Sequence, residues 1–143
     1  MSRPVYIVDT NVVVAGLVTA DPASPVARVL DDMLAAAFPF AVSETLLGEY
    51  RTVLLRPGLR RLHALSVDEV ELLLTDLAQH AIVLEPAADR AVVPRAPDAG
   101  DQFLWNLLAG WPRLVLITGD KRLLQDRGMQ GRAVSPRTFI DGG

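Results

Sequence analysis

The sequence predicts an α/β fold in which parallel strands are joined by crossover helices. Three observations carry that prediction. Short apolar runs alternate along the chain with stretches of helical period. Two of those runs, "VYIV" at 5–8 and "LVLI" at 114–117, each stop at a polar turn that ends on or opens with an aspartate. Finally, serine start signals stand just ahead of the helical stretches.

Strands are expected near residues 5–8, 38–42, 81–84, 114–117 and 132–134, about five in all. The segment "NVVVAGL" after the first reads two ways, its β-branched residues favouring strand and its place after Asp9 favouring a turn into a helix. Ser24 and Pro25 suit an N-cap and first helical residue, opening a helix through "VARVLDDMLAAA". Ser43 caps a helix to about Leu55, which "RPG" at 56–58 stops. Ser66 and Glu69 have the spacing of a capping box, with Leu65 and Val70 as its hydrophobic staple, and that helix should run to about Gln79. "VVPRAPDAG" is a loop leading into a helix over "DQFLWNLLAG", and a short helix follows Asp120.

A length of 143 residues fits one domain, 1–143, with no repeat or low-complexity segment. Cysteine is absent, which excludes disulfides, thiolate zinc sites and cysteine nucleophiles together. With only His63 and His80 available, a metal would be held mainly by oxygen. The longest nearly apolar runs fall short of the roughly 20 residues that span a bilayer. Arg3 precedes an apolar stretch, but Asp9 and Asn11 interrupt it where a secretory signal should be unbroken, so a cytoplasmic location is expected. The net charge of −3 argues against nucleic-acid binding by bulk charge alone. Basic residues are nevertheless grouped, with Arg51, Arg56, Arg60 and Arg61 in one segment and Lys121, Arg122, Arg127, Arg132 and Arg137 in another. Taken alone, these groups read as solvated surface that balances acids.

The acids carry the chemistry. A carboxylate leaving an apolar strand must reach water, a partner or a metal. Asp9 and Asp120 both stand just beyond the carboxyl ends of predicted parallel strands, the edge at which open α/β sheets bind ligands. On the helix after Ser43, Glu49 flanks the apolar stripe of Leu46, Leu47, Tyr50, Val53 and Leu54, whereas Glu44 points away. Asp101 leads the face of Leu104, Leu107 and Leu108, and Asp98 precedes it by three residues. Each acid also has a purely structural use. Asp9 and Asp120 could cap their turns, Asp98 and Asp101 could serve the start of a helix, and Glu49 could pair with a surface arginine. Gathered in one cleft, however, they would repel and need a counter-charge, and Mg²⁺ or Mn²⁺ takes carboxylate oxygens and binds substrates through phosphate. Such ions polarise phosphodiesters and activate water.

The motifs "VDTNVVVAGL", "SETLLGEYRTVLLRP", "PDAGDQFLWNLLA" and "LITGDKRLL" together resemble the PIN-domain family of metal-dependent ribonucleases, which includes the VapC-like toxins of bacterial toxin–antitoxin pairs. The resemblance spans nearly the whole chain. It implies a three-layer α/β/α fold, a Mg²⁺ or Mn²⁺ site on Asp9, Glu49, Asp101 and Asp120, and RNA cleavage that leaves a 3′-hydroxyl. It also implies a homodimer and a cognate antitoxin protein. "EYRTVLLRP" is typical of the toxin branch. Asn11 and Thr118 match supporting polar positions that orient Asp9, Asp120 or a water, and Asp98 is offered as a further ligand. Arg51, Arg56, Lys121 and Arg122 are the candidate RNA contacts. Two other readings stay open, a catalytically silent RNA- or protein-binding module and a housekeeping RNA-processing nuclease. A phosphatase of the haloacid dehalogenase type is disfavoured, because it needs an aspartate two residues after the first and position 11 is asparagine.

Overall fold

A computed structural model describes residues 3–85, 93–129 and 131–142. Val92, the first residue of the expected "VVPRAPDAG" loop, lies outside them. Among the described residues, five strands, β1 (Val5–Val8), β2 (Ala41–Val42), β3 (Ile82–Val83), β4 (Leu114–Ile117) and β5 (Ala133–Val134), alternate with eight α-helices. The helices are α1 (Thr10–Val18), α2 (Pro25–Leu34), α3 (Glu44–Leu54), α4 (Pro57–His63), α5 (Val67–His80), α6 (Gln102–Gly110), α7 (Lys121–Leu124) and α8 (Pro136–Ile140).

Every strand pairing among the described residues is parallel, as the alternation predicts. One ladder has the order β1-β4-β5 and the other pairs β2 with β3. A bridge between Tyr6 and Phe40, in which the Tyr6 amide donates to the Pro39 carbonyl at 3.1 Å, joins them into the order β3-β2-β1-β4-β5. The expected strand at 38–42 pairs only over its last residues, because Phe38 turns instead into an aromatic cluster with Tyr6 and Phe139.

The serine signals work locally. Ser24 accepts from the Ala27 amide, Ser43 from the Leu46 amide, and the Ser66–Glu69 capping box is complete in both directions. "NVVVAGL" is helical: Val12 and Val13 are buried in the core, and that packing overrides the weak helix preference of valine. Gly16 lets α1 and α2 approach, since a Cβ there would lie 2.7 Å from the Val26 carbonyl oxygen. "RPG" does end α3, but Pro57 also opens α4 as its first residue, where its fixed φ and missing N–H cost nothing. Ser135 and Pro136 open α8 in the same way as Ser24 and Pro25 open α2.

The core is built on Ile7, Val8, Met33, Phe40, Leu46, Tyr50, Leu54, Leu77, Trp105, Leu116 and Ile117, all fully buried or nearly so. Arg132, grouped by sequence with the basic surface, is a clamp. Its guanidinium donates to the carbonyls of Leu108, Trp111 and Leu114, closing the end of α6 onto the start of β4. No helix among the described residues is long and apolar enough to cross a membrane.

Candidate active site

The register of the central pair builds the site. Val8 lies opposite Ile117, and the Asp9 amide donates to the Ile117 carbonyl at 2.9 Å, so the residues leaving β1 and β4 emerge side by side. Asp9 is buried, and its Oδ2 accepts from the Thr118 hydroxyl at 2.7 Å and from the Asn11 amide at 3.1 Å. Thr118 is itself buried and accepts from the Asp120 amide at 3.1 Å, while Asn11 Oδ1 accepts from the Gly119 amide at 3.3 Å. Asn11 and Thr118 thus tie the two strand ends into one unit and aim the Asp9 carboxylate.

Glu49 arrives from α3 on the far side of β1. Its Oε2 accepts from the Thr10 hydroxyl at 2.6 Å, and no arginine pairs with it among the described residues. Glu44 is exposed, as the helical face predicts. Thr10, absent from the sequence-predicted set, is buried and connects α1 to α3. Its only sequence signal was its place between the two polar residues of "DTN". Tyr50, read simply as core, also supports the site: its hydroxyl donates to the carbonyl of Val8, one residue before Asp9. Full burial, and then the charges of Asp9 and Glu49, push the phenol pKa well up, so it remains a donor. Tyr50→Phe should cost about 1–2 kcal/mol of stability, because it leaves a buried carbonyl unpaired. Urea unfolding of the two proteins measures this.

Asp101 opens α6 half-buried, and its side chain caps nothing. Burial raises its pKa first, and the charges of Asp9, Asp98, Glu49 and Asp120 raise it further, to about 6. The Asp9 carboxyl is raised as well, by burial and then by Glu49 and Asp120, despite the bonds from Thr118 and the Thr10 backbone. Acids from four chain segments therefore feel one another across one sheet edge.

The structural uses divide unevenly among the acids. Asp98 accepts from the Gly100 amide and Asp120 from the Arg122 amide, each at 2.9 Å, so both cap their turns. Asp9 and Asp101 stand at N-cap positions without a side-chain cap bond. Capping explains the first two and leaves the second two unexplained.

The basic candidates also divide. Arg56 lines an open cleft with Asp9, Thr10, Asn11, Glu49 and Val53, and Arg122 lies against Asp120. Lys121 is exposed beside it. Arg51, a candidate RNA contact, is engaged by an acid: its Nε and Nη2 donate to both carboxylate oxygens of Glu71 at 2.8 and 3.0 Å, which ties α3 to α5. His63 is buried and structural, donating through Nε2 to the Leu54 carbonyl and accepting the Leu65 amide at Nδ1.

Among the described residues, no three acidic or histidine side chains stand close enough to share one ion in this arrangement. The donor set nonetheless fits a hard divalent cation. It offers carboxylate, amide and hydroxyl oxygens without sulfur or imidazole, and two of its acids are held above their ordinary pKa by burial first and by neighbouring carboxylates second, the latter a repulsion that a cation would relieve.

No curated protein shows significant similarity to the chain. The sequence profile of the PIN domain matches residues 5–122, from the first residue of β1 to the second of α7, and all four acids fall inside it. With more than three quarters of its length matched, the chain belongs to the PIN-domain family.

Proposed function

We propose that this protein is a divalent-cation-dependent endoribonuclease, with Asp9, Glu49, Asp101 and Asp120 holding Mg²⁺ or Mn²⁺. PIN domains are generally nucleases and generally use divalent metal ions. The observation that carries the reading is that acids at the ends of β1 and β4, on α3 and at the start of α6 lie near enough to raise the pKa of Asp101, while Asp9 and Asp101 do no capping work that would explain them. Loss of an acid would have favoured a silent binding module, and none is lost.

When bound, the cation supplies Lewis-acid chemistry at the phosphodiester and lowers the pKa of a water. The chain's own residues do the rest. Thr118 and Asn11 hold Asp9 in orientation, and Thr10 does the same for Glu49. Asp98 serves as a cap and adds charge to the cluster. Arg56, Lys121 and Arg122 are placed to meet RNA phosphates. Hydrolysis forms a bond from a water oxygen to phosphorus and breaks the bond to the 3′ oxygen, which takes up a proton and leaves as a 3′-hydroxyl. The likeness of "EYRTVLLRP" to the toxin branch supports a role as the toxin of a toxin–antitoxin pair, acting as a homodimer restrained by a cognate antitoxin in the cytoplasm.

The test is incubation of a mixed single-stranded and structured RNA pool with the purified protein in Mg²⁺ or Mn²⁺ and in EDTA. Cutting in either ion that stops in EDTA and yields 3′-hydroxyl ends is the expected result. A folded protein that cuts in neither ion, and takes up neither by calorimetry, would overturn it in favour of the binding module.

A further inference from the structure

We propose that Arg122 is the resident counter-ion of the acid cluster, and that a divalent cation must displace it to bind. This rests on the cluster being a metal site. One guanidinium nitrogen, Nη2, lies 3.7 Å from Asp120 Oδ2 and 3.9 Å from Asp98 Oδ2, so a single cation spans acids from the exit of β4 and the turn before α6. Among the described residues, these are the only ion pairs that reach the cluster. Arg51 is taken by Glu71, and Arg132 by backbone carbonyls.

The anchoring favours exchange. The Arg122 backbone is pinned by its N–H, which donates a hydrogen bond to Asp120 Oδ1, while the side chain is 64 % exposed and its contacts are long. The head can therefore swing away without moving the turn. Like charges in one cleft require a counter-charge, and guanidinium and a divalent ion compete for the same Asp120 oxygen. Asp120 Oδ1 already accepts from the Arg122 amide, which leaves Oδ2 as the oxygen that the guanidinium approaches and an incoming ion would share. This also accounts for the open arrangement of the acids: Asp98 and Asp120 face Arg122, Glu49 faces Thr10, and Asp9 faces Thr118 and Asn11. Arg122 would then set the cation concentration at which the site loads.

The experiment is calorimetric titration of Mn²⁺ into the full chain at fixed pH and ionic strength, using the wild type, Arg122→Gln, Arg122→Lys and Asp9→Asn. Arg122→Gln should bind Mn²⁺ roughly three- to tenfold more tightly, the scale expected for releasing two exposed ion pairs. Arg122→Lys, which keeps the charge, should stay nearer the wild type, and Asp9→Asn should bind weakly or not at all. Binding that emerges only in Arg122→Gln would also support the proposal. An unchanged or weaker affinity in Arg122→Gln, with wild-type binding still dependent on Asp9, would overturn the counter-ion role and leave the metal site standing. If neither the wild type nor Arg122→Gln takes up Mn²⁺, the metal-site reading falls and this one with it.

Discussion

Asp9→Asn should keep the fold and lower RNA cleavage on the order of 10³-fold, the scale seen when a preorganised electrostatic group is removed from an active site. The fold survives because the amide oxygen of asparagine can accept the same two bonds, from Thr118 at 2.7 Å and Asn11 at 3.1 Å, that Oδ2 accepts now. The strand pairing and the backbone turn into α1 do not involve the side chain. Only the negative charge is lost. In EDTA that loss should not destabilise the protein, since burial and the charges of Glu49 and Asp120 already hold the Asp9 carboxyl above its ordinary pKa. Cleavage rate and thermal unfolding of the two proteins, measured side by side, give the answer. Cutting at the wild-type rate would remove Asp9 from the site, and a collapsed transition temperature would make it a structural residue.

Asp101→Asn should have opposite effects on stability with and without metal. Without a divalent cation at neutral pH, the ionised Asp101 sits among four other acids, and neutralising it should stabilise the protein by up to about 1 kcal/mol, a modest figure because the group is half-exposed and screened. With a saturating cation the wild type should be the more stable, because the variant lacks a ligand and gains less from binding. The pH dependence follows from the direction of the shift. The folded pKa, about 6, lies above the ordinary 3.8, so the folded state holds the proton more tightly. The favourable contribution is complete below about pH 4, is lost as pH rises through about 6 in EDTA, and is absent at neutral pH. Added Mn²⁺ competes with that proton, so its stabilising effect should grow over the same interval. Thermal melts at pH 5 and 7.5, with EDTA or Mn²⁺, would show a widening gap for the wild type and a flatter one for the variant. The same modest metal stabilisation at both pH values would detach Asp101 from the site.

Local signals in the sequence reached far into this fold. The serine caps at 24, 43 and 66 depend on atoms within three residues, and the apolar runs at 5–8 and 114–117 mark their strands to the residue. Pro57 and Ser135–Pro136 carry the same kind of signal, but a proline just after one helix also suits a stop, and a five-residue helix after β5 is too short to show a periodicity of its own, so α4 and α8 emerge only in the structure. "NVVVAGL" was ambiguous for a different reason. Valine disfavours helix by only a few tenths of a kcal/mol, which the burial of Val12 and Val13 outweighs once the sheet is present.

By itself, the sequence determined an α/β chain with acids placed after two parallel strands, on the edge of an apolar helical stripe and at a helix start, because periodicity, caps and strand ends are short-range properties. Only the tertiary structure decided what those acids do to one another. Glu49 meets Thr10 39 residues away, Asp9 meets Thr118 109 residues away, and Arg51 is drawn off by Glu71 20 residues away. Coulomb forces and hydrogen bonds act over a few ångströms of space rather than along the chain, so the raised pKa of Asp101 and the placement of Arg122 between Asp98 and Asp120 exist only once the strands have paired in register.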